Sequence, residues 1–81
     1  YNNIVLWGFI MNKVAISSDY ITLGQFLKFA NIINNGGQAK MFLATNKVFV
    51  NGEQEARRGR KLRNNDIIET NGKQFIIICV E

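Results

Sequence analysis

Val48-Phe49-Val50-Asn51-Gly52, then the basic run Arg57-Arg58-Gly59-Arg60-Lys61-Leu62-Arg63, then Asn64-Asn65-Asp66-Ile67-Ile68 form the stretch that decides the fold. Val48 and Val50 alternate onto one face of an extended segment, and Asn51-Gly52 is the strongest short hairpin signal. The return, Glu53-Gln54-Glu55-Ala56, is polar. The basic run holds five of the ten Lys and Arg residues in the 81-residue chain. It stands between two turn signals and reads as a loop that adds nothing to a core and is held outward, toward a polyanion. Charge alone leaves a second reading open, a solvated loop that keeps the protein soluble. Arginine density favours the first, because guanidinium forks match phosphate oxygens. Gly59 would let the backbone approach a ligand closely.

Downstream, Ile67-Ile68-Glu69-Thr70 and a second Asn-Gly turn, Asn71-Gly72, lead into Lys73 to Val80. The apolar run Phe75 to Val80 predicts a central strand covered on both faces, with Ile67–Thr70 and Val14–Ser17 as its partners. Upstream, Thr22 is a good N-cap and Gln25 completes a capping box. Ile21 and Phe26 are spaced as a hydrophobic staple. Leu23, Phe26, Leu27, Ala30 and Ile33 recur on one helical face, with Lys28, Asn31 and Asn34 toward the other. Gly24 weakens this helix slightly and admits close packing. Asn34-Asn35-Gly36-Gly37 breaks it. A second helix is expected from about Gln38 to Thr45, with Ala39, Phe42 and Leu43 inward, Lys40 on its other side and Lys47 just past its end. Gly36-Gly37 reads either as free N–H groups for an anion or as a tight turn between helices. Phe49 is out of phase with Val48 and Val50. It could stack on a base, but packing against a helix is the preferred reading. Asn51 and Asp66 are expected to hold turns through side-chain to backbone bonds.

Length and composition bound the rest. One domain is expected, residues 11–81, with residues 1–10 read as a possible upstream extension because Met11-Asn12-Lys13 resembles a natural start. Tyr1, Trp7 and Phe9 would be candidates for contact only if that segment is native. Hydrophobic residues make up 47% of the chain and the net charge is +4, favouring a folded domain with an acidic partner. One cysteine, Cys79, and no histidine exclude an intrachain disulfide and argue against a Cys/His zinc site. Cys79 is expected to be a buried, inert thiol, and the chain to be cytoplasmic. No apolar run is long enough to cross a bilayer, so no membrane partner is expected. No cofactor is expected. The acids Asp19, Glu53, Glu55, Asp66, Glu69 and Glu81 show no paired spacing and no general-base histidine is present, so the chain is not read as an enzyme.

Helix, glycine turn, helix, Val-x-Val-Asn-Gly, basic loop and Asn-Asp-Ile-Ile, in that order, resemble the S-four RNA-binding domain, the αL motif. The resemblance spans about residues 21–69, on Leu23, Phe26 and Leu27, Gly36 to Lys40, Val48 to Gly52 and Asn65 to Ile68. Arg57 to Leu62 looks most like small stand-alone bacterial members, the YaaA-type proteins. The family's Ser-Arg at the second helix start is Gly36-Gly37 here, and the Gly of its Gly-Asp is Asn65. The resemblance implies an α+β fold: a two-helix αL motif on a small, mostly antiparallel sheet of about four to five short strands.

It also implies a non-catalytic module binding structured RNA, ribosomal or transfer RNA, in ribosome assembly or translation, with the ribosome as a further partner; a monomer is expected. Arg57, Arg58, Arg60 and Lys61 would carry most phosphate contacts, supported by Arg63, Lys40, Lys47 and the Gly36-Gly37 backbone. The alternatives are a β-grasp carrier-like or protein-interaction module, or an assembly factor that uses the same face on a protein. The ending Cys79-Val80-Glu81 lacks the Gly-Gly tail of the carriers.

Overall fold

A computed structural model describes residues 11–80. The expectations placed on residues 1–10 lie outside the described residues. Strand β1 (Asn12–Ile16) comes first, followed by the short β2 (Ile21–Thr22). Helix α1 (Leu23–Phe29) starts directly from β2 because Thr22 is both strand end and N-cap. The Thr22 hydroxyl accepts from the Gln25 N–H at 3.3 Å, and the Gln25 side-chain oxygen accepts from the Thr22 N–H at 3.2 Å. Leu23, Phe26 and Leu27 are buried, one face of the helix at i, i+3 and i+4.

The helix stops four residues short of Ile33. Asn31 takes the left-handed conformation at φ 61°. Its N–H donates to the Lys28 carbonyl at 3.0 Å, and the Ile32 N–H to the Leu27 carbonyl at 2.9 Å. This is a Schellman stop, with asparagine where glycine is usual. Ile33 still reaches the core, but from the connection and not from the helix. A 3-10 turn (Gly36–Gln38) then feeds α2 (Ala39–Thr45), which buries Ala39 and Leu43 and half-buries Phe42.

The remaining strands are β3 (Phe49–Val50), β4 (Glu53–Gln54), β5 (Lys61–Leu62), β6 (Ile67–Thr70) and β7 (Lys73–Cys79). Of the seven described strands, five form a sheet in the order β1-β7-β6-β3-β4, and β2 pairs with β5 as a separate ribbon. The β1–β7 pairing is parallel and the others are antiparallel. Both Asn-Gly dipeptides make hairpins with two left-handed residues, Asn51 and Gly52 at φ 52° and 87°, Asn71 and Gly72 at 55° and 72°, as a type I′ turn requires. Where β6 begins, the Asn65 N–H donates to the Ile77 carbonyl at 2.7 Å and the Ile77 N–H to the Asp66 carbonyl at 3.0 Å. Two residues thus face one, a β-bulge, and Asn65 at φ 72° fills the position glycine usually takes.

Val14, Ile16, Val50, Ile68, Phe75 and Ile77 point to one side of the sheet and meet α1 and α2 in a single core. Phe26 and Phe75 cross edge to face at 5.2 Å, a favoured aromatic geometry. Strand β7 is interior to the sheet, but among the described residues helices cover only one of its faces. Phe75 and Ile77 are buried while Ile76 and Ile78 are half-exposed, because both described helices lie on the core side. Phe49 shares the outer side, so it packs against neither described helix.

Candidate nucleic-acid interface

The basic run is built into the fold through its backbone. Residues Arg57–Arg60 form a turn, closed by the Arg60 N–H on the Arg57 carbonyl at 3.2 Å. The Arg60 and Arg58 carbonyls then accept from the Leu23 and Gly24 N–H groups at 2.8 and 2.9 Å. These are the first donors of α1, which no turn of the helix can satisfy. Leu62, 0% exposed, sits in the core, and its strand pairs with β2. The run is therefore not wholly a loop excluded from the core. Its central leucine is an anchor, because alternation along β5 turns Leu62 inward and Lys61 and Arg63 outward.

Neither expected glycine is strictly required by space. A Cβ on Gly24 would stand 3.4 Å from the Arg58 carbonyl oxygen and 3.5 Å from the Ala39 Cβ, ordinary contact distances at a place where the turn and α2 both lie close against α1. A Cβ on Gly59 would meet nothing within 4 Å, so close backbone approach does not require glycine there.

At the far end Asp66 ties the run down. One carboxylate oxygen accepts from the Arg63 N–H at 2.7 Å and the other from the Asn51 side-chain amide at 3.0 Å. The Asn51 amide oxygen accepts from the Ile67 N–H at 2.9 Å. The two turns that flank the run in sequence are thus bonded to each other. Asn64 adds a bond from the Cys79 N–H at 2.8 Å. Cys79 itself is half-buried.

The cationic side chains divide into three groups. Arg57 forms a two-pronged pair with Glu55, Nε to Oε2 at 2.9 Å and Nη2 to Oε1 at 3.0 Å. Arg60 approaches the same carboxylate at 3.6 Å. The Arg57 guanidinium bond is the main reason the Glu55 carboxyl falls from 4.5 to about 2. Arg58 makes no ion pair among the described residues. It lines a cleft of about 390 Å³ with Lys28, Gln25, Gly36 and Gly59, and no carboxylate lines it.

Lys61 and Arg63 lie on the ring of Tyr20, with Nζ at 4.9 Å and Cζ at 5.5 Å from its centroid. Helical spacing places Lys28 four residues after Gly24, the residue packed under Arg58. That signal marks Lys28 as the lysine facing the basic turn, and it supplies positive charge beside Gly36-Gly37, where the second helix lacks arginine.

Gly36 lines the cleft and has open space around it, while a Cβ on Gly37 would crowd the Asn35 side chain at 3.2 Å. The Gln38 amide oxygen accepts from the Asn34 N–H at 2.7 Å, closing the connection. Gly37 thus sits against the Asn35 side chain in the turn, and Gly36 borders the cleft. Lys40 is exposed on α2, outside the cleft lining. Lys47 is separate. It lines another cleft, of about 400 Å³, with Phe49 and Glu69, because it continues the alternation that sends Phe49 to the outer side of the sheet. Among the described residues no cluster of His, Cys, Asp and Glu could hold a metal ion. No helix of the described chain is long and apolar enough to cross a membrane.

A family model described as S4 domain matches residues 14–78. A Bacillus subtilis (strain 168) protein named probable ribosome maturation protein RlbA is 51% identical over 61 residues, covering 75% of this chain and 86% of that protein.

Proposed function

Because this chain belongs to the S4 domain family, we propose that it is a non-catalytic module that binds structured RNA through the face around Arg58 and acts in ribosome maturation. The cleft carries this reading. It joins two cations, Lys28 and Arg58, from different elements, and the glycine turn at Gly36 borders it. Such a site suits a phosphate of an RNA backbone recognised by shape. Lys61 and Arg63 extend the charge beside it, and Lys40 lies on the neighbouring helix. Arg57 and Arg60 join when phosphates compete with Glu55 for their guanidinium groups. Lys47, in its own cleft, is left out. The similarity to a protein named for ribosome maturation makes ribosomal RNA the first choice and transfer RNA the second.

The test is a salt titration of affinity for ribosomal RNA fragments, with transfer RNA as competitor. Each phosphate neutralised contributes roughly 0.7–0.9 to the slope of log K against log salt. Arg58→Ala and Lys28→Ala should each remove about one such increment and weaken all RNAs alike. An affinity that hardly changes between about 50 and 200 mM salt would exclude phosphate contact as the basis of binding.

A further inference from the structure

Two aromatic rings remain in solvent on the same side of α1 as the cleft. Tyr20 is 39% exposed and Phe29 59% exposed. Between them lies a groove of about 450 Å³, floored by Ile21 and bordered by Gln25 and Lys28. Gln25 and Lys28 also line the Arg58 cleft, so cleft and groove share a wall. We propose that this groove receives an unpaired nucleobase of the same RNA whose phosphates lie at Arg58. This inference rests on the RNA-binding reading and deepens it.

The rings are held on rigid parts of the chain. Tyr20 immediately precedes β2, and its carbonyl accepts from the Ser18 hydroxyl at 2.8 Å. Phe29 is the last residue of α1, just before the Asn31 stop. Lys61 and Arg63 stand at the Tyr20 ring. An apolar protein surface would gain nothing from two cations there, whereas a nucleotide presents a flat base to the ring and a phosphate to the cations. Gln25 adds a polar handle. Its amide oxygen is engaged by the Thr22 N–H, which leaves its NH2 group, without a protein partner among the described residues, to donate to a base edge. A paired base cannot enter, because both its faces are covered in the duplex. The RNA must therefore offer a bulged, looped or terminal nucleotide beside its structured part.

The experiment uses RNA hairpins with one bulged nucleotide, the same hairpins with an abasic bulge, and the fully paired hairpin. Each is titrated against the wild-type chain, Tyr20→Leu, Phe29→Ala and Arg58→Ala. The wild type should prefer the bulged hairpin to the abasic one by roughly 5- to 150-fold, the range of one stacked base. Tyr20→Leu and Phe29→Ala should each shrink that preference while leaving the fully paired hairpin and the salt slope unchanged. Arg58→Ala should weaken all three RNAs and keep the preference.

Binding of all three RNAs without a preference for the bulged hairpin overturns the groove inference and leaves the RNA reading standing. So does a preference that neither ring substitution reduces. Failure of the wild type to bind any hairpin overturns both. Phe29, the more exposed ring, guards the test against a folding defect in Tyr20→Leu.

Discussion

Arg57 and Arg58 are neighbours in the chain, yet their side chains meet opposite surroundings. Arg57 is 77% exposed and held in a two-pronged pair by Glu55. Arg58 faces a cleft without carboxylates and shares it with Lys28. The same division runs through the whole basic stretch. Its first half is a turn fastened by carbonyls to the start of α1. Its second half is a strand fastened by Leu62 in the core. Charge density along a sequence therefore does not measure charge available to a ligand.

The sharpest way to break the second half is Leu62→Ala. Removing a fully buried leucine should cost about 2–5 kcal/mol, read as a fall in the urea midpoint. It should release Lys61 and Arg63 from Tyr20 as well. Asp66→Ala attacks the tie between the two flanking turns. It removes the acceptor of the solvent-accessible Arg63 N–H and Asn51 amide, for an expected loss of about 0.5–1.5 kcal/mol in the same measurement.

Glu55→Gln tests the first half. It frees Arg57 and Arg60, so RNA affinity should rise at low salt and the salt slope should steepen by roughly one phosphate increment. The pH dependence has a definite sign. The folded-state pKa of Glu55 lies at about 2, below its ordinary 4.5, so its contribution to stability is present above 4.5 and is lost as pH falls toward 2. Acid titration of the unfolding midpoint should therefore show the wild type and Glu55→Gln converging across that window. The smallest effect is expected from Gly59→Ala. Its Cβ meets nothing within 4 Å, and the change should stay within about 0.5 kcal/mol. A large loss would mean that this turn needs glycine after all.

Much of the fold was legible because local chemistry decides it. Thr22 and Gln25 cap a helix wherever they stand at that spacing. Asn51-Gly52 and Asn71-Gly72 adopt paired left-handed conformations that few other dipeptides accept. The end of α1 was not legible, because the apolar spacing runs on to Ile33 while Asn31 turns the chain left-handed. Asparagine permits that conformation without announcing it. The exposed side of β7 was hidden for a related reason. A run of isoleucines reads the same whether one face or two are covered, and only the placement of both helices on one side distinguishes them.

The candidate site divides in the same way. By itself the sequence determined two helices, two Asn-Gly hairpins and a basic run between two turns, and its ordered motifs resembled the αL type. Capping, turn and periodicity signals act over a few residues and need no distant partner. Only the tertiary structure decided which cations share a surface. Arg58 shares a cleft with Lys28 because its carbonyl fastens the turn to the start of α1. Lys47 is excluded because strand alternation carries it to the other side of the sheet. Tyr20 and Phe29 come together because β2 and the end of α1 are brought to one groove. Those relations join residues far apart in sequence or on opposite faces, and packing sets them where periodicity does not reach.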